Sequence, residues 1–262
     1  MRSAITGIVA AMTTWVLFAA PSDLHAQRGR GGGQAAAGRG ARTAAPYDLT
    51  GYWVAVVSED WKYRMVTPPK GEYGGVPINP EGRKVADGWD PAKDEADSLQ
   101  CKAYGAAGIM RLPGRLRFTW DNDNTLRIDA DAGTQTRLLQ FGTSPADGEL
   151  TWQGRSAAQW DTAGGRGTRF AEGDLSGPGG FMKVVTTKMR PGYLRKNGVP
   201  YSSNTTMTEY FESHQGPNGE RYLVVSTVIE DPQYLSQPYV TSANFKKLPD
   251  ASGWNPTPCS AK

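Results

Sequence analysis

Histidine is nearly missing from this 262-residue chain: of the two present, His25 and His214, only His214 lies beyond the first 45 residues. One histidine cannot build a multi-histidine zinc, copper or iron centre, and two cysteines are too few to cluster around a soft metal, so neither a metal site nor a cofactor is expected. A Ser-His-Asp arrangement would need the same His214, and no G-x-S-x-G elbow occurs at a strand-to-helix turn. His214 stands beside the turn-forming stretch 213–219 and reads as a surface residue. Internal repeats and heptads are also absent. Asp121-Asn122-Asp123-Asn124 begins like a calcium loop, but the required glycine and distal glutamate are missing, which leaves a hairpin turn.

Long apolar runs are confined to the start. Arg2, the run Ile5 to Ala20, Pro21 and the Leu24-His25-Ala26 step have the order of a signal peptide covering residues 1–26; the rival reading, a membrane anchor, needs a longer apolar run. The mature protein is then periplasmic or secreted and not inserted in a membrane. Residues 27–45, Gly and Ala with Arg28, Arg30, Arg39 and Arg42, cannot bury enough surface to offset ordering entropy and read as a flexible tether. Lys and Arg total 29 against 26 Asp and Glu. Residues 1–45 hold five Arg and only Asp23, which leaves 24 against 25 in the body. A near-neutral body lacks the basic field that nucleic-acid binding requires. In an exported chain the cysteines Cys101 and Cys259 read as a disulfide, with two buried thiols as the alternative.

Residues 46–262 read as one β domain. Tyr47 to Val57 is a first strand rich in β-formers. Pro68, Pro69, Gly71, Gly74, Gly75 and Pro77 forbid regular structure over 67–79. Two short helices follow, from Pro80 and Pro91, with Asn79 and Asp90 as their N-caps. After Pro113-Gly114 comes a meander: strands at 115–120, 125–131, 134–141, 149–160, 181–189, 205–212, 222–229 and 239–248, with a glycine-rich loop at 162–180. Short strands at near-regular spacing favour a sandwich or a closed antiparallel barrel.

The most informative cluster is Arg127 to Arg137. With Ala132-Gly133 as a two-residue hairpin loop, Asp129 faces Thr136 and Arg127 faces Leu138. Arg127, Asp129, Asp131, Thr134 and Thr136 then share one face, and Ile128, Ala130, Arg137 and Leu139 the other. If the polar face lines a cavity, proximity and desolvation raise one carboxylate's pKa, making Asp129 or Asp131 a candidate general base with Tyr210 or Tyr63 as acid. If it faces water, it is a solvated sheet surface. Trp61 and Arg64 in Glu59–Arg64, together with Glu209, are further candidate ligand contacts; the alternative for these polar-aromatic groups, as for Glu230–Tyr234, is packing. Tyr193–Gly198 reads as a basic hairpin tip, with contact to an anionic ligand as a second reading.

Gly51-Tyr52-Trp53 resembles the G-x-W signature of lipocalins, whose tryptophan closes the base of an antiparallel barrel. The segments Glu59-Asp60-Trp61, Trp89–Ala96, Glu230–Tyr234 and Trp254–Cys259 look like those of a family of secreted bacterial proteins of unassigned function. The lipocalin likeness implies a mostly β, single antiparallel barrel; the two short helices, read from Pro80 and Pro91, are inserted after the first strand where lipocalins place a hairpin. It also implies a small apolar or aromatic ligand within the barrel, with Trp53 at its base. The alternative is a cofactor-independent lyase, isomerase or hydratase using a carboxylate base in the same cavity.

Overall fold

Strand alternation and proline-led helices recur in three dimensions largely where the pattern puts them. The computed structural model describes residues 40–142, 148–161 and 180–262. The leader, tether residues 27–39 and the glycine-rich segment up to residue 179 lie outside the described residues. β1 (Gly51–Val56) precedes α1 (Trp61–Arg64), α2 (Pro80–Asp87), α3 (Pro91–Ala96), a 3₁₀ turn (Gln100–Tyr104) and α4 (Ala106–Ile109). There follow β2 (Arg115–Asn122), β3 (Thr125–Ala130), β4 (Gln135–Phe141), β5 (Arg155–Asp161), β6 (Phe181–Thr187) and β7 (Gly192–Arg195). β8 (Val199–Tyr201), β9 (Thr206–Gln215), β10 (Arg221–Glu230) and β11 (Tyr239–Leu248) complete the order. Asn79 accepts from the Gly82 N–H and Asp90 from those of Ala92 and Lys93, so both helices start on the expected caps with proline at the first position.

Nine strands close a barrel in the order β1-β11-β10-β9-β6-β5-β4-β3-β2, with β2 returning to β1, while β7 and β8 form a separate hairpin. One expectation is corrected here. β4 and β5 run parallel, with Leu139 opposite Ser156, so the barrel is mixed rather than wholly antiparallel. A parallel neighbour requires the chain to travel back along the barrel before re-entering the sheet. Part of that return is visible between 148 and 154, where the Trp152 carbonyl accepts from Ala106 N at 2.9 Å and Gln153 Nε2 donates to the Tyr104 carbonyl at 2.8 Å. The strand expected from residue 149 accordingly begins only at Arg155.

The barrel interior is a packed core. Phe118 on β2 meets Phe211 on β9 edge-to-face at 6.5 Å, although four steps around the barrel separate their strands. Rings arriving from opposite walls therefore fill the lumen at this level, joined by the fully buried Trp53, Leu126, Leu139, Met182, Leu223 and Phe245. Burying each such side chain contributes on the order of 2 kcal/mol. Trp53 Nε1 donates to the Leu49 carbonyl at 2.8 Å, satisfying the one polar atom of the indole.

At one end, Trp120, Phe141, Trp160 and Tyr47 form a chain of ring contacts at 5.2–5.6 Å. Trp160 Nε1 donates to the Ala41 carbonyl at 2.8 Å, and Ala41 N donates to Asn124 Oδ1 at 2.9 Å. Residues 40–45, read from composition as tether, are thus packed on the barrel. The other end is covered by α2, α4 and the β7–β8 hairpin, with Ala86, Leu194, Val199 and Tyr201 packing on Met207 and Ile229. Cys101 and Cys259 form the expected disulfide, which pins the segment after β11 beside the β3–β4 turn.

Candidate functional site

The β3–β4 hairpin has the expected register: Asp129 pairs with Thr136, Arg127 with Leu138 and Ile128 with Arg137. Ile128, Ala130, Arg137 and Leu139 turn inward and are buried; the Arg/Asp/Thr side is the outer face. Asp129 Oδ1 accepts from Thr136 Oγ1 at 2.7 Å and Arg127 Nε at 2.9 Å, while Oδ2 accepts from Arg117 Nη2 at 2.8 Å. Burial alone would push this carboxyl's pKa up, but the bonds from Thr136, Arg117 and Arg127 outweigh it and hold the group below the ordinary carboxylate range. This is the reverse of the elevated pKa expected of a general base. Asp131 is buried in a structural role, accepting the Arg115 N–H at 2.7 Å through Oδ1 and the Thr257 N–H at 2.9 Å through its carbonyl. Thr134 is exposed and donates to the Thr257 carbonyl at 3.0 Å.

The other named residues disperse. Tyr210 lies on the outer wall in edge contact with Phe181. Trp61 is 64 % exposed on α1. His214 is exposed at the end of β9, stacked on Tyr222. Glu209 is 0 % exposed and points into the barrel, where both its oxygens take the Arg137 guanidinium. Arg137 also donates to Thr186 Oγ1 at 2.8 Å and Ser156 Oγ at 3.2 Å. This ion pair bridges the lumen from β4 to β9, and a void of about 10 Å³, the size of one water, lies beside Arg137.

A cleft of about 240 Å³ lies outside the lumen, where α1 and the segment after it, the 3₁₀ turn, α4, the β3–β4 turn and β7 converge. Its walls are apolar and aromatic, with Tyr63, Met65, Tyr104, Leu112 and Leu194, and it also holds Arg64, Arg111, Arg195 and Lys196 with no carboxylate among the lining residues. Arg64 donates from Nε to the Arg111 carbonyl at 2.9 Å and from Nη1 to Glu59 at 2.6 Å; Arg111 donates to Asp60 at 2.7 Å. Burial pushes the Arg64 pKa down; Glu59 opposes this and the neighbouring Arg111 cation adds to it.

Arg195 donates to the Gly74 carbonyl at 2.7 Å and lies over the Tyr63 ring at 4.4 Å. The hairpin tip that carries Arg195 is fixed by Asn197, which donates to the Pro69 and Glu72 carbonyls of the Pro/Gly-rich loop. Gly198 has φ +84°, and a Cβ there would sit 2.3 Å from Trp89, so the turn needs glycine. Of these residues the sequence marks Arg64 as a ligand contact, Tyr63 as a candidate acid and the tip carrying Arg195 as a second-reading contact for an anion; Arg111 carries no such mark. Arg111 and Arg195 come from segments with no mutual spacing, and the basic hairpin tip was the one available signal.

Among the described residues no group of three or more His, Cys, Asp or Glu is placed to hold a metal, and no helix is long and apolar enough to cross a membrane. No protein-family profile, curated protein or solved structure matches the chain.

Proposed function

We propose that this is an exported, lipocalin-like protein that binds a small apolar or aromatic molecule, and that the ligand sits in the cleft beside Tyr63 and Tyr104 instead of in the barrel's lumen. The observation that carries the reading is the cleft itself: about 240 Å³ of space walled by two tyrosine rings and by Met65, Leu112 and Leu194. A cavity of roughly 150 Å³ accommodates benzene, so one ring with a substituent fits. Export is supported by the apolar leader and by the disulfide, which suits an oxidising compartment; membership of a secreted bacterial family belongs to the same reading.

The enzymatic alternative has less support, because Asp129 and Asp131 are committed to hydrogen bonds and neither lines the cleft. Titration with a panel of single-ring compounds, followed by amide chemical shifts, should perturb residues 63–67 and 194–196. Shifts confined to the lumen strands, or no shifts at all, would overturn the assignment, and Leu112→Trp, which fills the cleft, should abolish binding in a protein that still folds.

A further inference from the structure

We infer that the ligand of this cleft is an organic anion, an aromatic or apolar body carrying one carboxylate or phosphate, whose charged group is received by Arg64, Arg111 and Arg195. The inference rests on the cleft being the binding site and adds the charge of what it binds. Three guanidinium groups, each on a residue more than nine-tenths buried, line one small space. Each keeps N–H groups without an acceptor: Arg64 Nη2, Arg111 Nη1, and Arg195 Nε and Nη2. Buried donors normally find partners, and four orphans on three neighbouring guanidinium groups mark a place where an acceptor is owed.

The charge balance points the same way. Glu59 binds Arg64, Asp60 binds Arg111 and Glu72 binds Lys62, so each nearby carboxylate is already engaged. Arg195 hydrogen-bonds to the main-chain oxygen of Gly74 and, among the described residues, to no carboxylate. The body as a whole is near neutral, so this excess of positive charge is local and not a by-product of composition. A guanidinium fork matches the two oxygens of a carboxylate or phosphate, and the Tyr63 ring against Arg195 holds that fork in place beside the cleft.

The test compares three probes on the wild-type mature protein by calorimetry and amide shifts: benzoate, its neutral counterpart benzamide, and inorganic phosphate. Benzoate should bind at least about tenfold more tightly than benzamide, and added sodium chloride should narrow that ratio. Arg195→Gln should remove the preference, weakening benzoate at least about tenfold more than it weakens benzamide, with an unchanged far-ultraviolet spectrum. Equal binding of benzoate and benzamide overturns the anion assignment and leaves the aromatic cleft standing. Phosphate binding alone supports the anion site and overturns the aromatic reading, and no binding by any probe overturns both. If Arg195→Gln fails to fold, Arg111→Gln and displacement of benzoate by phosphate on the wild type decide the question: competition supports the site, and simultaneous binding overturns it.

Discussion

Replacing Glu209 by methionine strips the buried Arg137 of its counter-charge at nearly constant volume. Arg137 would keep the hydroxyls of Thr186 and Ser156, at 2.8 and 3.2 Å, in a buried site with room beside it for about one water. Removing one partner of a buried pair costs about 3 to 5 kcal/mol, because the remaining charge is left uncompensated. In a domain of this size each kcal/mol moves the melting temperature by roughly 2 to 4 °C, so the variant should melt about 6 to 20 °C lower. The double variant Arg137→Met/Glu209→Met should recover most of that loss. It leaves no charge behind, and Thr186 and Ser156 already lie 2.9 Å apart and can satisfy each other. Thermal and urea unfolding of the two variants, followed by near-ultraviolet circular dichroism, gives the comparison. If Glu209→Met is no less stable than the double variant, the pair does not carry charge across a buried lumen and the packed-core account of the barrel fails.

Asp129 has its pKa depressed in the folded protein, so its ion network stabilises the fold above the ordinary carboxylate value and is lost as pH falls through and below about 4. Asp129→Asn should therefore be less stable than wild type at neutral pH and show a flatter acid limb in pH-dependent melting; a parallel acid limb would contradict this. Cys101→Ser/Cys259→Ser opens a cross-link spanning 158 residues, whose unfolded-state contribution is on the order of 5 kcal/mol. A urea midpoint unchanged by the double substitution would refute that role. Asp231→Ala removes the acceptor for the Ser202 and Gln233 N–H groups and the Ser202 and Thr205 hydroxyls, and should cost about 2 to 4 kcal/mol in chemical unfolding.

What could be read in the chain was local. Alternation around Ala132-Gly133 placed every residue of the β3–β4 hairpin on its correct face, because a period of two leaves only two choices. The same pattern sets Arg137 among Ile128, Ala130 and Leu139; in the structure Glu209, read from sequence as a ligand contact or packing, stands between the buried Met207 and Phe211. A charge in an apolar row was thus the sign of the pair inside the barrel, and only knowledge of which strands face each other could join the two. Asp231 sits in a polar-aromatic stretch weighed as ligand lining, and it instead clamps the β8–β9 turn to the segment after β10. Neither the parallel β4–β5 pairing nor the cleft has a local signature. The first depends on where a connection re-enters the sheet, and the second on five separate segments meeting at a barrel end.

Tyr52 lies opposite Leu248 in the sheet, so the first and last staves of the barrel are hydrogen-bonded neighbours. A chain growing from its N-terminus cannot complete the wall until β11 has been made. Every shorter nascent species carries two bare, sticky edges that invite pairing with other molecules. Synthesis therefore sets a long interval in which the chain must be kept solitary, and a stop codon upstream of β11 would yield an aggregating ribbon instead of a smaller working protein.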